Sequence, residues 1–437
     1  MIPIIPGAAG AIALAIAPQP ELRLYFWLPL VLDVGCGPYL VLAAVVALRE
    51  ALTSRAWLRH IPFVRYFVKD ATPPRAPLPK ERAIIGCILG TAVGDALGLV
   101  CEGLRPGRQR AMYPEITGYR FLFGKGMCSD DTEHTLMLAQ SLIETGNFHR
   151  EALERKFVSN FAWRLRFWLL GLPAGIGMAT LRAILKLWIG FPGTKSGVFS
   201  AGNAPAMRAA LLGVCYGDDP GKMHALVRAA TRITHTDPKA EHGALAVALA
   251  AHLTSSSSGR VDPHRFRAAL GEMLGGEAAE FRGIVDGVAA SLAGGENAAS
   301  YARRIGCGGG VTGYVYHTVP VALHVWLVHQ DDYRQAVTTV IRLGGDTDTT
   351  AAIVGAIVGA RIGKEGIPRE WLRNLWEWPR TAAWMEQVGV KLADCCAHGT
   401  VSAAVPVSAL KLLARNAFFM IAVLIHGFRR LLVLPPY

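Results

Sequence analysis

Two short acidic motifs, more than two hundred residues apart, each stand at the start of an apolar helical stretch. The first is Ser129-Asp-Asp-Thr132 and the second is Asp346-Thr-Asp-Thr349. Ser129 can cap the free backbone N–H groups of a helix, and the helix dipole favours acidic residues at such a position. Clustered carboxylates repel one another, however, and their burial requires compensating cations. The fold must therefore either expose both motifs as helix caps or bring them together as two halves of one metal site.

The composition is that of a folded protein with a sizeable core, because 52% of its 437 residues are hydrophobic. Lys and Arg number 45 against 33 for Asp and Glu, which gives a net charge of +12 and favours anionic partners. The basic residues are dispersed along the chain and form no long run. We therefore expect no sequence-specific recognition of nucleic acid.

The cysteines are scattered and lack the spacing of a zinc site or of a Cys-x-x-Cys redox pair. Such cysteines are typical of reduced, mostly buried thiols, so we expect a cytoplasmic protein. Cys128 adjoins the first acidic motif, but no base accompanies it in the sequence, and we interpret it as a small buried residue. The eight cysteines are Cys36, Cys87, Cys101, Cys128, Cys215, Cys307, Cys395 and Cys396.

Residues 1–80 differ from the rest of the chain, because they are highly apolar and end in a proline-rich stretch typical of a linker. Within them, Leu24–Leu48 has Asp33 as its only charge. This stretch is long enough to span a ~30 Å hydrocarbon layer, but its glycines and proline suit two shorter packed helices equally well. Basic residues follow it, so a span would leave the remaining chain at the inner face of a membrane. We expect this extension to contact a membrane or to cover an apolar face of the protein.

From residue 81 onward, Ala, Leu and Gly dominate, and a 3.6-residue periodicity is frequent. This pattern predicts an all-α domain over residues 81–380, with residues 381–437 as a helical tail that docks on it. The predicted helices span residues 81–97, 131–145, 204–215, 221–232, 239–254, 278–293, 319–329 and 348–362.

Three further stretches carry structural predictions. Phe167–Trp188 is apolar but contains a proline and two basic residues, and we interpret it as buried helix and loop. Gly355, Gly359 and Gly363 recur every four residues, which indicates close packing of one helix face against another helix. Ala417–Ile425 is apolar but too short to cross a membrane, and we interpret it as a docking helix.

Five sequence blocks in a fixed order resemble the ADP-ribosylglycohydrolase family, which includes the dinitrogenase-reductase-activating glycohydrolases. The resemblance covers about residues 82–380, and residues 1–80 have no part in it. Its most specific element is the combination of Ser-Asp-Asp-Thr with Gly-Gly-Asp-Thr-Asp-Thr. The blocks are Gly90-Thr-Ala-Val-Gly-Asp-Ala-Leu-Gly98 with Glu102, Ser129-Asp-Asp-Thr132, Ala201-Gly-Asn-Ala-Pro-Ala-Met-Arg208, Thr234-His-Thr-Asp237 and Gly344-Gly-Asp-Thr-Asp-Thr349.

The resemblance implies an all-α fold whose central cleft holds two divalent cations, Mg²⁺ or Mn²⁺, against the distal ribose of ADP-ribose. It also implies a hydrolase that removes ADP-ribose from a modified protein or small molecule by cleaving the glycosidic bond at that ribose. We expect a monomer. Carboxylate and hydroxyl oxygens are suitable hard ligands for either ion. The six ligands carried over from the motifs are Ser129, Asp130, Asp131, Asp346, Asp348 and Thr349.

The same resemblance implies catalytic and substrate-binding residues. Glu102 and Asp131 are the candidate catalytic residues, with Glu102 as an acid/base or water-positioning group. The sequence is equally compatible with Glu102 as an ordinary surface carboxylate beside two arginines. It is also compatible with His235 as a structural histidine and with Tyr314 as part of a plain loop between helices. The substrate-binding candidates are Gly202 and Asn203 near the diphosphate, His235 by the ribose or a phosphate, Tyr314 as an aromatic face, and Asp95 as a hydrogen-bonding residue.

Two alternatives stay open on the sequence. A protein of the same fold without catalysis could bind ADP-ribose or have a structural role, although all six ligand positions carry side-chain oxygens. An all-α isoprenoid diphosphate enzyme would also place aspartates on a helix. Its motif requires a further Asp four residues after the first, where this chain has His134.

Overall fold

The computed structural model describes residues 79–146 and 150–431. The chain divides into two compact units, Met1–Ala76 and Pro77–Tyr437, and every described residue belongs to the second. The predicted span Leu24–Leu48 and the rest of the apolar extension up to residue 78 lie outside the described residues. The predicted C-terminal tail lies in the same unit as the predicted helical domain.

Within the described residues the fold is all-α, as predicted, and no strand is present. Ala, Leu and Val fill the buried helix faces, and Asp, Asn or Ser side chains cap several helix N-termini. Short 3-10 turns follow α1 and precede α11. The α-helices of this part of the chain are α1 (Pro79–Gly98), α2 (Pro106–Met112), α3 (Asp130–Thr145), α4 (Arg150–Leu170), α5 (Met178–Trp188), α6 (Ala204–Met207), α7 (Ala210–Tyr216), α8 (Pro220–Arg232), α9 (Pro238–Ser256), α10 (Pro263–Leu274), α11 (Ala279–Ala293), α12 (Ala298–Arg304), α13 (Val315–Val328), α14 (Tyr333–Ile341), α15 (Thr347–Gly366), α16 (Arg369–Asn374), α17 (Ala382–His398) and α18 (Ala409–Leu431).

Two glycine-rich helices, α1 and α15, pack with their backbones in direct contact. A Cβ atom at Gly86 or Gly90 would overlap main-chain atoms of α15, and one at Gly355 or Gly359 would overlap those of α1. The close packing predicted from the spaced glycines is therefore confirmed. Gly363 lies against Gly86 and also interrupts the helical geometry of α15 with a left-handed φ of 68°.

Helices α3, α7, α9, α13, α14 and α17 pack around this pair and contribute to the core. Gly213 of α7 lies so close to Ala248 of α9 that a Cβ atom would overlap the Ala248 carbonyl group. The phenol of Tyr333 in α14 donates a hydrogen bond to the carbonyl oxygen of Gly90 at 2.6 Å. The helices that bear both acidic motifs are therefore held by tightly packed neighbours on several sides.

Two apolar segments lie at the surface rather than in the core. Our prediction that Phe167–Trp188 is buried is wrong, because only one face of α4 and of α5 packs inward. Phe167, Leu172 and Met178 are among its exposed side chains. The apolar stretch Ala417–Ile425 does dock on the domain, but it belongs to the longer helix α18, whose outer face is exposed.

By length and composition alone, two helices of the described chain could cross a membrane. The first candidate span, Lys80–Cys101, is entirely buried in the protein and is a core helix. The second, Ala409–Arg430, is only 28% buried. We expected the apolar stretch Ala417–Ile425 to be too short to cross a membrane. This expectation is wrong as far as length is concerned, because α18 extends beyond both ends of the stretch.

Candidate active site

The first acidic motif opens α3, and Asp95 of α1 holds its backbone from behind. Ser129 caps the helix, since its hydroxyl oxygen accepts a hydrogen bond from the N–H of Asp131. The carboxylate of Asp95 accepts hydrogen bonds from the N–H groups of Ser129, at 2.9 Å, and Thr132, at 3.1 Å. Asp95 is wholly buried. The structure therefore places Asp95 behind the site, where it positions the motif through hydrogen bonds, the role predicted for it from the sequence.

The second acidic motif follows a glycine turn and opens α15. Gly344 and Gly345 have φ angles of 70° and 80°, in the left-handed region that favours glycine. The N–H of Asp346 then donates to the carbonyl oxygen of Val311 at 2.8 Å. This arrangement places Asp346 at the N-cap of α15 and the remaining motif residues in its first turn.

The two motifs meet through Asp131. The Oγ1 of Thr349 donates a hydrogen bond to Oδ2 of Asp131 at 3.3 Å, and the Oγ of Ser129 donates to the same oxygen at 3.1 Å. The other carboxylate oxygen, Oδ1, is buried and has no hydrogen-bond partner among the described residues. An unpartnered buried carboxylate oxygen is costly, so this atom is suited to a cation or a bound water.

Both motifs line one cleft of about 210 Å³. Its polar side comes from the motifs, from the loop before α6 and from the segment after α1. Its other side is apolar and includes α18. The polar lining consists of Glu102, Ser129, Asp130, Thr180, Asn203, Asp346, Asp348 and Thr349, and the apolar lining includes Leu99, Met207, Phe419 and Val423.

Burial and mutual repulsion raise the pKa values of Asp130, Asp131 and Asp348. Desolvation is the largest cause for Asp130, Asp131 and Asp348, whose pKa values lie well above the ordinary range, and the charge of Asp95 adds to the effect on all three. The pKa of Asp95 itself is raised to about 6, because desolvation outweighs the hydrogen bonds that it accepts. The site therefore favours the binding of positive charge.

The donor set of the site fits a hard divalent cation. In the described part of the chain, no three Asp, Glu, His or Cys side chains already converge as a ready-made ion cage. Five of the six predicted ligands instead line the two sides of the cleft, and Asp131 lies directly behind them. Carboxylate and hydroxyl oxygens suit Mg²⁺ or Mn²⁺, and the unpartnered oxygen of Asp131 is consistent with such an ion.

Asn203 reaches the site, as predicted from its motif. Its side-chain amide donates to Oδ2 of Asp346 at 2.7 Å and to the hydroxyl of Thr318 at 2.9 Å. Its backbone N–H donates to the carbonyl oxygen of Gly313 at 3.0 Å. Asn203 therefore links the second acidic motif to the loop before α13.

The structure does not bring Gly202, His235 or Tyr314 into the lining of the cleft. His235 is buried against Gly202, and burial lowers the pKa of its imidazole to about 3, so the ring is neutral at physiological pH. The phenol oxygen of Tyr314 accepts a hydrogen bond from the ammonium group of Lys239 at 3.1 Å. These residues support the loop that carries Asn203, because Gly202 and Tyr314 pair through their backbones.

Glu102 lies exposed at the rim of the cleft. Desolvation raises the pKa of its carboxyl and repulsion from Asp346 adds to the rise, while the Arg430 guanidinium opposes it. Arg430 also donates a hydrogen bond to the backbone carbonyl of Glu102 at 2.7 Å. An accessible carboxyl with a raised pKa is suited to acid/base chemistry.

Sequence reasoning missed the part that α18 plays in the site. Phe419 and Val423 of this helix form part of the apolar wall of the cleft. The sequence carries no specific signal for this role, because Arg415 is one of two basic residues in the first half of α18 and the other, Lys411, is exposed.

A buried network of four charges anchors α18 beneath the first motif. Arg415 donates to Glu377 at 2.7 Å and to Glu133 at 3.2 Å, and Arg380 forms ion pairs with both glutamates. Arg415 also donates to the backbone carbonyl of Cys128, the residue before Ser129. The pairing compensates charges that could not otherwise be buried.

Comparison with known proteins agrees with the motif pattern. The family model described as ADP-ribosylglycohydrolase matches residues 76–401. An uncharacterized protein of Archaeoglobus fulgidus is 31% identical over 72% of this chain and 97% of its own. The ADP-ribosyl-[dinitrogen reductase] glycohydrolase of Rhodospirillum rubrum is 28% identical over 68% of this chain and 92% of its own. A solved structure described as an ADP-ribosylglycohydrolase-related protein complex has a TM-score of 0.53 and 27% identity, and the match covers 72% of this chain and 99% of that one. This chain belongs to the ADP-ribosylglycohydrolase family.

Proposed function

We propose that this protein is a metal-dependent hydrolase that releases ADP-ribose from a modified protein or small molecule by cleaving the glycosidic bond at the distal ribose. The observation that carries the proposal is the meeting of the two acidic motifs at one cleft, with an unpartnered oxygen of Asp131 behind it. Family membership and the activity named for the Rhodospirillum rubrum relative support the same reaction.

Two divalent cations, Mg²⁺ or Mn²⁺, form the cofactor of this proposal. Bound in the cleft, they would polarise the sugar hydroxyls and lower the pKa of a water molecule. Asp95 and Asn203 would orient the ligating motifs through the hydrogen bonds described above. The residues that would hold the ions are Ser129, Asp130, Asp131, Asp346, Asp348 and Thr349.

We assign the proton-transfer role to Glu102. It is the exposed carboxylate of the cleft, so a substrate lying there reaches it without moving the buried ligands. Its raised pKa allows it to hold or release a proton nearer neutral pH than an ordinary glutamate. Asp131, our other catalytic candidate, is fully buried and acts in this proposal as a ligand.

The proposal is tested with the full-length protein and two substrates, an arginine-ADP-ribosylated peptide and a serine-ADP-ribosylated peptide. Each is incubated with Mg²⁺, Mn²⁺ or EDTA, and free ADP-ribose is measured by chromatography and mass spectrometry. We expect metal-dependent release from one of the two peptides.

Two variants control this experiment. Asp346→Ala removes a charged oxygen of the site and should abolish release. Glu115→Gln changes an exposed carboxylate outside the cleft lining and should leave the rate unchanged. If neither peptide, nor a free ADP-ribosylated small molecule, is hydrolysed under any metal condition, the proposed activity is wrong.

A further inference from the structure

One face of α18 points away from the protein and consists of large apolar side chains that are open to solvent. They form two groups with three- or four-residue spacing, Leu410 with Leu413 and Ile421 to Phe428, over roughly 27 Å of helix at ~1.5 Å per residue. The opposite face of the same helix carries buried Arg415 and Phe419. We call the exposed side the α18 apolar face, and it comprises Leu410, Leu413, Ile421, Leu424, Ile425 and Phe428.

The α18 apolar face continues onto neighbouring elements. Phe167 and Leu170 of α4 are 62% and 57% exposed, and together with Leu413 they line a cavity of about 450 Å³ between α3, α4 and α18. On the other side, the ring of Phe418 meets that of Trp376 edge-on, with 5.5 Å between the centroids. A contiguous apolar surface of this extent marks an interaction site, because isolated exposed apolar residues do not line up in this way.

Basic residues are the only charged residues in the two chain segments that carry most of these exposed apolar side chains. Residues 155–217 contain no Asp or Glu, and neither do residues 395–437, although both segments contain several Lys and Arg residues. Arg182 of α5 and Lys411 of α18 are exposed. A second copy of this chain on the same face would bring like charges together, whereas an anionic lipid surface complements them.

We propose that α18 docks this protein on the surface of an anionic lipid bilayer, with the helix in the interfacial plane and the α18 apolar face among the acyl chains. A helix with an apolar face and flanking basic residues binds membranes in this way. The ion pairs of Arg415 with Glu133 and Glu377 exclude a span by the same helix, because crossing would pull Arg415 out of its buried network. This inference does not depend on the proposed catalytic activity.

The proposed docking would hold the cleft beside the membrane. Phe419 and Val423 line the cleft from the inner side of α18, so only the thickness of one helix, ~10 Å, would separate the cleft from the lipid. Substrates attached to, or lying on, the same bilayer would therefore be the accessible ones.

The first test measures partitioning of the full-length protein onto sedimentable vesicles of phosphatidylcholine, with and without one quarter phosphatidylglycerol. We expect binding to the anionic vesicles that weakens with salt. Ile421→Glu/Leu424→Glu should weaken it about tenfold or more, because two apolar anchors are lost and two repelled charges are gained. Val328→Glu/Val390→Glu is the matched control, since these exposed helical valines lie outside the α18 apolar face, and it should bind as the unmodified chain does.

The second test reports the local environment, because the apolar residues 1–80 could by themselves hold the chain on vesicles. An environment-sensitive fluorophore on Ile425→Cys should shift to the blue on anionic vesicles and be quenched by brominated acyl chains. The same label on Val390→Cys should stay in water.

Three results would overturn the proposal. One is a label at position 425 that stays in water while the protein is bound to vesicles. Another is a label that is buried without lipid, whether by a second copy or by another part of the chain. The third is the absence of binding to anionic vesicles by the unmodified protein.

Discussion

The hydroxyl of Thr349 donates a hydrogen bond to the carboxylate of Asp131 and thereby joins two motifs that are 218 residues apart in the sequence. Only one oxygen of Asp131 takes part in hydrogen bonds, and the other is buried without a partner among the described residues. Nearby carboxylates raise the pKa of Asp131 further. The buried carboxyls of the site therefore need a cation to compensate their negative charge, and the first two predictions follow from this.

Asp131→Asn should uncouple the protein from metal ions. The amide keeps the shape of the side chain but removes a charge, so Mn²⁺ should raise the melting temperature of the unmodified protein and leave that of the variant nearly unchanged. A bound ligand at a hundred times its dissociation constant stabilises by about 2.7 kcal/mol, which is readily measured as a thermal shift. Glu115→Gln should shift like the unmodified protein. An equal shift in Asp131→Asn would contradict the assignment of this residue as a ligand.

The metal-free site should destabilise the fold increasingly as the pH rises. The folded-state pKa values of Asp131 and Asp348 lie above the unfolded value of about 4. Each group therefore favours the folded state below its unfolded pKa, and this contribution is lost as the pH rises through the folded pKa.

Burial lowers the pKa values of buried histidines such as His134, so their contribution to stability changes with pH in the opposite direction. The measurement therefore compares a variant with the unmodified chain at each pH, so that the contribution of the histidines cancels. We expect Asp131→Asn/Asp348→Asn, in EDTA, to gain stability relative to the unmodified chain between pH 5 and pH 8. Denaturant unfolding at both pH values checks this. A stability difference that does not change with pH would show that the two carboxyls titrate as they do in the unfolded chain.

Glu102→Gln should slow hydrolysis by roughly 10²-fold or more while ADP-ribose binding is preserved, because an inert amide replaces an acid/base group of the same shape. Calorimetric titration with ADP-ribose and steady-state kinetics measure the two quantities separately. Glu115→Gln should change neither of them. An equal loss of binding and rate would give Glu102 a structural role instead.

Arg415→Ala should cost about 3–5 kcal/mol of stability, because it leaves Glu133 and Glu377 buried with Arg380 as their only remaining cation in the network. The neighbouring exposed residue Lys411 provides the control, and Lys411→Ala should lie within about 0.5 kcal/mol of the unmodified protein. Denaturant unfolding measures both variants. Similar stabilities for the two would mean that the network does not hold α18 in place.

Local sequence patterns predicted the features of this protein that are encoded locally. Helical periodicity predicted the all-α fold, and glycine spacing predicted that one face of α15 packs closely against another helix. The two acidic motifs predicted that Ser129 and Asp348, among others, would come to one cleft, because each motif is continuous in the sequence. That these residues bind metal stays a prediction.

Features that depend on distant partners could not be predicted in this way. Glu133, Glu377 and Arg415 form one network but share no local pattern, so the role of α18 in the site was not anticipated. Apolar composition also does not reveal which side of a helix meets the protein, and this is why Phe167–Trp188 was wrongly assigned to the core. The sequence predicted that Asp95 forms hydrogen bonds within the site, but it did not reveal that their donors are the backbone N–H groups of Ser129 and Thr132.

Because the backbones of α1 and α15 are in contact, the site depends on residues that do not line it. Asp95, which holds the first motif, lies between Gly94 and Gly98, and a Cβ atom at either glycine would overlap the start of α15. A larger residue anywhere along this glycine stripe would push the second motif away from the first without altering a single ligand. A relative that keeps every acidic residue but replaces these glycines is therefore a poor candidate for a working site, and a search for active homologues should score the glycines together with the aspartates.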